Sequence, residues 1–409
     1  MVKTYGKILR RMYKHNVTRI LAIMIIIAVG ICVVTGVCAL PGQIKSAVTE
    51  DNSTLMQVLL AEAMADKIET LGHIFPVFFI LVAVLTVLTT ITRLVEEERS
   101  KAACLKTLGY SNFAIVFKYV LFALICSLFG CIIGILAGNF LLSPTLFNAI
   151  KLEFSHAVYP GGFYLEYGLM WSAVMIAAVA IISVSVSLKK FHEKPAALLR
   201  PKAPKHGKSA FIEKIPLVWR LLKFRFKTSV RNILRYKGRL IMTVVAVAGA
   251  TALVFCGLGL FSALNNMGHE RENTAMIDAI IPISTALVLC AIIVMVLVLF
   301  NLTNINIEER KKEIATLKVL GYNQVEVATY IYREVMILSV LGMIVGLPLG
   351  YFFLGYMFDA LDFSSYEYVQ WYAYVLSVVL SFVSVIVADV LLYFKIKKVD
   401  MQSSLKTVD

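Results

Sequence analysis

The sequence is poor in charged residues. Asp, Glu, Lys and Arg make up 16% of its 409 residues, against about 25% in an average soluble domain. Hydrophobic residues make up 59%, and the mean hydropathy is +0.80. This balance excludes a soluble globular enzyme and a disordered chain, and it predicts an integral membrane protein.

Motifs for disulfides, metals and nucleotides are also lacking. Six of the seven cysteines fall inside long hydrophobic runs, and Cys104 falls in a loop, so no disulfide framework is expected. No CxxC or Cys/His spacing indicates a metal site, and no glycine-rich loop is followed by Lys-Ser/Thr. We predict no catalytic residue, metal or cofactor in this chain.

Eight hydrophobic runs are long enough to cross a bilayer, whose hydrocarbon core of about 30 Å needs about 20 helical residues. The sequence therefore predicts an all-α polytopic membrane protein. The predicted spans are Thr18–Leu40, Ile74–Leu94, Ala114–Leu142, Leu165–Leu188, Leu240–Leu264, Ala279–Leu302, Val325–Met357 and Tyr372–Phe394.

Lys and Arg are distributed very unequally between the two sides of these spans, with 36 on one side and 4 on the other. Acidic residues divide evenly, with 13 on each side. The positive-inside rule, which Asp and Glu hardly affect, predicts that both termini are cytoplasmic.

The net charge of +14 raises the question of a nucleic-acid partner. The densest basic run, Lys189–Arg239, begins at the end of a predicted span. There it acts as an orientation signal and attracts anionic headgroups, at about 1 kcal/mol per Lys or Arg. We predict contact with membrane lipid and no binding of nucleic acid.

An internal repeat divides the chain. Residues 97–110 read EERSKAACLKTLGY, residues 308–322 read EERKKEIATLKVLGY, and their Leu-Lys-x-Leu-Gly-Tyr blocks are 212 residues apart. The repeat predicts two tandem four-span units in the same orientation, related by pseudo-twofold symmetry about the membrane normal. The units are residues 1–200, with a short external segment at 41–72, and residues 226–409, and a basic cytoplasmic linker at 201–225 joins them.

Each repeated block is predicted to form a short cytoplasmic helix that ends at a glycine. A solvated interfacial helix would explain one copy, whereas two copies favour a docking surface. Charges at the start of each helix, Glu98, Arg99, Glu309 and Arg310, are expected to face a partner and to be reversible without harm to the membrane fold. The full candidate set is Glu97, Glu98, Arg99, Leu105, Lys106, Gly109, Tyr110, Glu308, Glu309, Arg310, Leu317, Lys318, Gly321 and Tyr322.

Glycines four residues apart form a second repeat, in spans three and seven. A glycine inside a helix costs about 1 kcal/mol relative to alanine, so we interpret the two rows as close-packing faces. Span three is expected to pack against span seven or against a neighbouring span. The residues are Gly130, Gly134, Gly138, Gly342, Gly346 and Gly350.

Ionisable residues are rare within the spans. Asp389 is the candidate for an ion pathway, and it lies near the cytoplasmic end of its span. Lys395 or Lys397 could form an ion pair with it. Acids near the midplane are typical of ion-coupled carriers. Their absence from the sequence argues against a self-contained carrier or channel.

The repeated block followed by a glycine-rich span resembles the FtsX-like permease domain of ABC transporters, of the MacB and lipoprotein-release type. The segment 73–79 running into 92–98 is similar to the two-domain bacterial members. The resemblance implies a permease subunit of the bacterial cell membrane without enzyme activity of its own. It also implies that a separate cytoplasmic ATPase dimer, which binds ATP and Mg, docks on the two short helices.

The resemblance leaves two functions open. The chain is either the permease of an exporter for an amphiphilic substrate, or a mechanotransmitter that activates an extracytoplasmic partner such as a cell-wall hydrolase. Relatives usually carry a larger extracytoplasmic domain after the first span of a unit. Here segment 41–72 is short, with helical spacing over 49–71, so either a naturally minimal member or one whose domain has been removed fits the sequence.

Overall fold

A computed structural model describes residues 16–50, 55–150, 162–193, 237–270, 274–361 and 369–397, with isolated positions 13, 196 and 227. The linker predicted at 201–225 lies outside them. The described residues form helices and no strands, and a π-helical turn at Gly138–Leu142 joins the fourth helix to the fifth. In chain order the helices are α1 Val17–Glu50, α2 Leu55–Glu97, α3 Arg99–Thr107, α4 Asn112–Ala137, α5 Ser143–Ile150, α6 Glu166–Phe191, α7 Lys237–Glu270, α8 Thr274–Glu309, α9 Lys311–Val319, α10 Gln324–Ala360 and α11 Trp371–Lys397.

The eight predicted spans are confirmed. Within the described ranges, eight helical segments are long and apolar enough to cross a membrane, and each contains or overlaps one predicted span. Several run well past the predicted ends. The helical segment expected at 49–71, continuing into span two, corresponds over 55–71 to the first part of α2, while positions 49 and 50 belong to the end of α1.

The first two spans of each half extend beyond the hydrocarbon core. Helix α2 has 43 residues, so at 1.5 Å per residue it is about 65 Å long, roughly twice the thickness of that core. Helices α1, α7 and α8 have 34, 34 and 36 residues. Each of these pairs, α1 with α2 and α7 with α8, is therefore long enough to extend past the hydrocarbon core as a helical hairpin, and α10, with 37 residues, is of similar length.

The glycine rows pack each third span against the first span of its own half. A Cβ added to Gly134 of α4 would lie 2.7 Å from the carbonyl oxygen of Ala28 in α1. A Cβ on Gly346 of α10 would lie 2.7 Å from the carbonyl oxygen of Ala248 in α7. The expectation of packing on a neighbouring span is confirmed, and packing of span three on span seven is wrong. The other members of the rows, Gly130, Gly138, Gly342 and Gly350, approach the same two helices.

The two halves meet through their first two spans. Helix α1 contacts α8, the equivalent pair α7 and α2 is also in contact, and α2 contacts α8 between them. Equivalent helices of the two halves thus make equivalent contacts, as expected for the pseudo-twofold axis that the repeat predicts. A hydrogen bond of 2.8 Å from Asn301 Nδ2 to Thr90 Oγ1 links α8 to α2 inside the protein.

Polar contacts join the two halves at both ends of their shared interface. Arg93 at the end of α2 lies 2.7 Å from Glu309 at the end of α8, so α3 and α9 follow on the same face of the molecule. At the opposite face, Lys67 Nζ of α2 donates to the carbonyl oxygen of Leu361, after α10, at 2.6 Å.

Candidate functional site

Helix α3 ends in a tight hydrogen-bonded turn that requires glycine. Gly109 has a φ of 87°, a left-handed conformation that glycine adopts without a Cβ penalty. Its N–H donates to the carbonyl of Lys106 at 3.0 Å, and the N–H of Tyr110 donates to the carbonyl of Leu105 at 3.1 Å. These two bonds form a Schellman motif, which reverses the chain from α3 into α4.

Helix α9 ends in the same way. Gly321 has a φ of 89°, its N–H donates to Lys318, and the N–H of Tyr322 donates to Leu317. The prediction of two short helices closed by glycines is therefore confirmed. Asn323 then starts α10 with a capping box, as Ser111 caps α4 with its side chain.

The structural repeat keeps one spacing of 212 residues through this region. Helix α2 ends at Glu97 and α8 at Glu309, and single turn residues follow them, Glu98 in the first half and Arg310 in the second. Alignment of the two Glu-Glu-Arg triplets places Glu98 beside Glu309, one residue out of the structural register. Residues of opposite charge thus occupy the same place in the two halves.

Both turn residues form buried ion pairs with the third span of their half. The Glu98 carboxylate lies 2.6 Å from Lys118 Nζ of α4, with side-chain exposures of 8% and 3%, and it also accepts from Tyr119 at 3.2 Å. In the second half, the Arg310 guanidinium pairs with Glu334 of α10, at similarly low exposure. Both halves therefore have a buried ion pair at this place, but the turn residue is the acid in the first half and the base in the second.

The pKa of Glu98 reflects this environment. Burial alone would raise the pKa of the carboxyl, but the charges and hydrogen bonds of Lys118 and Lys101 lower it more. The pKa therefore lies below its ordinary value, and Glu98 is ionised at neutral pH.

A lysine ties the far end of each short helix to the last span of its half. Lys106 donates to the carbonyl oxygens of Phe191 and Glu193 at the end of α6. Lys318 donates at 2.9 Å to the carbonyl oxygen of Ile396 near the end of α11. A cation at the C-terminus of a helix also interacts favourably with the helix dipole. We call the ion pair and the lysine bond together the clamp of each short helix.

The remaining predicted charges also have partners inside the chain. Glu97 forms a bidentate pair with Arg19 of α1, with both distances at 2.7 Å, and Arg99 lies 3.0 Å from Glu193. Glu308 lies 2.6 Å from Lys395 and pairs with Lys311 as well. The expectation that Glu98 and Arg310 face a partner, and can be reversed without harm to the fold, does not fit these buried pairs.

Exposed apolar side chains lie beside the glycine turns. Leu108 is 72% exposed and Leu320, its equivalent, is 69% exposed. We define the α3 tip as Leu108 and Phe113, and the α9 tip as Leu320, Tyr322 and Val325, all of them more than half exposed. Of the tip residues, the predicted docking set contained Tyr322 but neither Leu108 nor Leu320, although the repeated leucine before each glycine was visible in the sequence.

Asp389 does not have the partners that the sequence suggested. Its carboxylate is buried and accepts from the Thr303 hydroxyl of α8 at 3.5 Å. Lys395 pairs instead with Glu308 and with the amide oxygen of Asn304. No group of three or more His, Cys, Asp or Glu residues that could hold a metal occurs within the described ranges.

Comparisons with known proteins agree with the internal repeat. The family FtsX-like permease C-terminal matches residues 73–191 and 285–401, so each match contains one short helix and the second to fourth spans of its half. The lipoprotein-releasing system transmembrane protein LolE of Haemophilus influenzae is 29% identical over 140 residues, which are 33% of this chain and 34% of that protein. The chain thus matches about a third of the length of that relative. No solved structure matches it.

Proposed function

This chain belongs to the FtsX-like permease family of ABC transporters, as a multi-pass protein of the bacterial inner membrane, and from that premise we propose that the α3 and α9 tips bind a separate ATPase dimer. The short helices lie in the cytoplasm under this proposal, in agreement with the 36 to 4 division of Lys and Arg. ATP and Mg are bound by the partner. Each subunit of the dimer contacts one half of the permease.

The observation that carries the proposal is the repetition of an apolar tip on a clamped helix. Apolar side chains such as Leu108 and Leu320 supply the buried centre of a protein interface. Each clamp joins its short helix to two spans, α4 and α6 in the first half and α10 and α11 in the second. Movement of an ATPase subunit against a tip would therefore displace these spans together.

We propose that this displacement serves the extrusion of an amphiphilic substrate. The lipid-facing spans α4, α6, α10 and α11 would move against the central group α1, α2, α7 and α8, through which the halves meet. A substrate of the outer leaflet would be handled at the boundary between the two groups.

The projecting hairpins favour mechanotransmission to an external partner as the second candidate. Helices α1 and α2 of the first half extend beyond the hydrocarbon core as one packed pair, joined by the Lys45–Asp66 ion pair at 3.3 Å. Such a hairpin could carry movement to a protein outside the membrane. Disruption of the hairpin surface would then abolish partner activation without affecting lipid-soluble substrates.

The docking proposal is tested by placing a charge on each tip. The double variant Leu108→Asp, Leu320→Asp is expected to lose the ATPase when permease and ATPase are coexpressed and copurified. The matched control Ser100→Asp, Thr316→Asp places the same charges on exposed positions of α3 and α9, two turns before Leu108 and one turn before Leu320, and it should retain the ATPase. Wild-type stoichiometry with the tip variant would overturn the proposal.

A further inference from the structure

A cluster of one acid, one imidazole and two aromatic rings lies between α2 and α6. Tyr167 donates to Glu69 Oε1 at 3.4 Å, and His73 Nε2 lies 3.9 Å from the same oxygen. The His73 ring centroid is 5.8 Å from that of Tyr167 and 6.4 Å from that of Trp171. We call these four residues the Glu69 cluster.

The Glu69 cluster lies at the face opposite the short helices, where α2 enters the membrane and α6 begins. Tryptophan and tyrosine are common at this level as an aromatic belt, with their polar edges toward the headgroups. Here the Nε1 of Trp171 is buried and has no hydrogen-bond partner among the described residues. Glu69 and His73 are each 41% exposed, so the cluster opens to the outside while the indole N–H faces inward.

The second half does not repeat the cluster. The spacing of 212 residues places Ile281 and Thr285 of α8 at the positions of Glu69 and His73. The lysine clamps set a spacing of 205 for the last spans, which places Tyr372 and Leu376 of α11 at the positions of the two aromatic residues. Packing common to both halves therefore does not account for the acid, the imidazole or the indole.

A carboxylate with aromatic rings close by is suited to an organic cation, which gains from the charge and, over a ring face, from the ring quadrupole. A zwitterionic lipid headgroup would also bring a phosphate that needs a basic partner. Of the lysines described at this face, Lys45 pairs with Asp66 and Lys67 bonds the carbonyl of Leu361. The imidazole of the cluster, His73, lies beside Glu69 itself. The surroundings thus favour a ligand with a net positive headgroup.

Exposed apolar side chains continue from the cluster along the lipid-facing sides of the same two helices. They are Val77 of α2 and Leu169 and Met170 of α6, each about half exposed. We propose that the Glu69 cluster binds the ammonium group of a cationic amphiphile, whose alkyl chain lies along this side of α2 and α6. The inference rests on the proposed function in naming its substrate class, but binding itself requires no ATPase.

The test uses Trp171 as its own reporter. In a Trp219→Phe, Trp371→Phe background, the purified protein in dodecyl maltoside micelles is titrated with small mole fractions of dodecyltrimethylammonium. We expect a saturable change in Trp171 emission. Dodecylphosphocholine and dodecyl sulfate, which have the same chain length, should produce none.

Two variants and a control complete the test. Glu69→Gln should weaken the apparent affinity about tenfold, whereas Glu62→Gln, an exposed acid on the same helix, should leave it unchanged. Tyr167→Phe keeps the ring and releases the carboxylate, so binding should be equal or tighter. It therefore tests the site even if Glu69→Gln does not fold.

Three results would overturn the inference. An equal response to dodecylphosphocholine would identify a lipid-headgroup site, and a linear, unsaturable response would identify simple partitioning. Unchanged affinity in folded Glu69→Gln would remove the carboxylate from the site. None of these results bears on copurification of the ATPase with the tips, so failure here is distinguishable from failure of the docking proposal.

Discussion

The two halves of the protein hold their short helices with ion pairs of opposite polarity. In the first half the turn residue Glu98 pairs with Lys118, and in the second half Arg310 pairs with Glu334. Both pairs hold a nine-residue helix against the third span. The clamp is therefore the repeated feature, and the sign of each charge is not. This is the result expected of a structural contact rather than of charges that recognise a shared partner.

The largest expected effect comes from removing one member of a buried pair. Glu98→Ala leaves the Lys118 charge buried without its partner and should lower the free energy of unfolding by about 3–5 kcal/mol. Glu334→Ala should do the same in the second half. Thermal unfolding in detergent measures both.

Exchange of the two charges of the first pair tests whether their polarity matters. The double variant Glu98→Lys, Lys118→Glu gives the first half the polarity of the second and should recover most of the loss. Lys101→Ala, whose side chain is 70% exposed, is the control and should cost at most about 1 kcal/mol. An exchange variant no more stable than Glu98→Ala would show that the sign of the charge matters after all.

The next effect concerns packing that the halves share. Gly134→Ala and Gly346→Ala bring a Cβ within 2.7 Å of a backbone oxygen, and overpacking of this kind costs about 1–3 kcal/mol. Gly238→Ala, where an added Cβ meets nothing within 4 Å, is the matched control and should be harmless. Melting temperatures of the three variants decide the point, and equal values would contradict the packing account.

A smaller effect is expected at the glycine turns. A Cβ on Gly109 meets nothing within 4 Å, so the cost of Gly109→Ala comes from its φ of 87° alone. That cost is roughly 1 kcal/mol. Asn tolerates this conformation better than Ala, so Gly109→Asn should be the milder variant. The reverse order of the two melting temperatures would contradict this assignment.

An exposed ion pair provides the weakest contact in the comparison. Lys45 and Asp66 have side-chain exposures of 46% and 71%, and such pairs contribute about 0–1 kcal/mol. Asp66→Asn should shift stability within that range, and the shift should disappear in high salt. A loss as large as that of Glu98→Ala would refute the distinction between buried and exposed pairs.

Acidification to pH 5 is expected to leave the contribution of the Glu98–Lys118 pair to the free energy of unfolding unchanged. Since the pKa of Glu98 is lower in the folded state, its contribution is present above the unfolded value of about 4.3 and is lost as the pH falls through the lowered pKa. The stability difference between wild type and Glu98→Gln should be the same at pH 7 and pH 5, and should shrink below about pH 4. A decline between pH 7 and 5 would contradict the assignment.

The sequence predicts the spans and the short helices because both depend on local features. Hydrophobic runs set the spans, and glycine at the left-handed position ends α3 and α9. The glycine rows predict close packing but not its partner, since a small face fits any neighbouring helix. Only the three-dimensional structure places Gly134 on α1 and Gly346 on α7.

The ion pairs could not be read from the sequence for a different reason. A search for repeats matches identical residues, so it pairs the two Glu-Glu-Arg triplets and misses that Glu98 corresponds to Arg310. Lys118 and Glu334 lie about one turn apart in the repeat, at non-equivalent positions of α4 and α10. A lone charge near the start of an apolar span was the available signal, and its partner depends on how the helices pack.

We expect each short helix to move as one body with the last two spans of its half. In a Cys104→Ser background, which removes the exposed native thiol, spin labels at positions 107 and 319 report the separation of the short helices. Labels at positions 107 and 169 report the distance from α3 to the outer end of α6. With the ATPase bound, we predict that ATP changes the first distance and leaves the second unchanged. A change in the second distance, or no change in the first, would contradict the account.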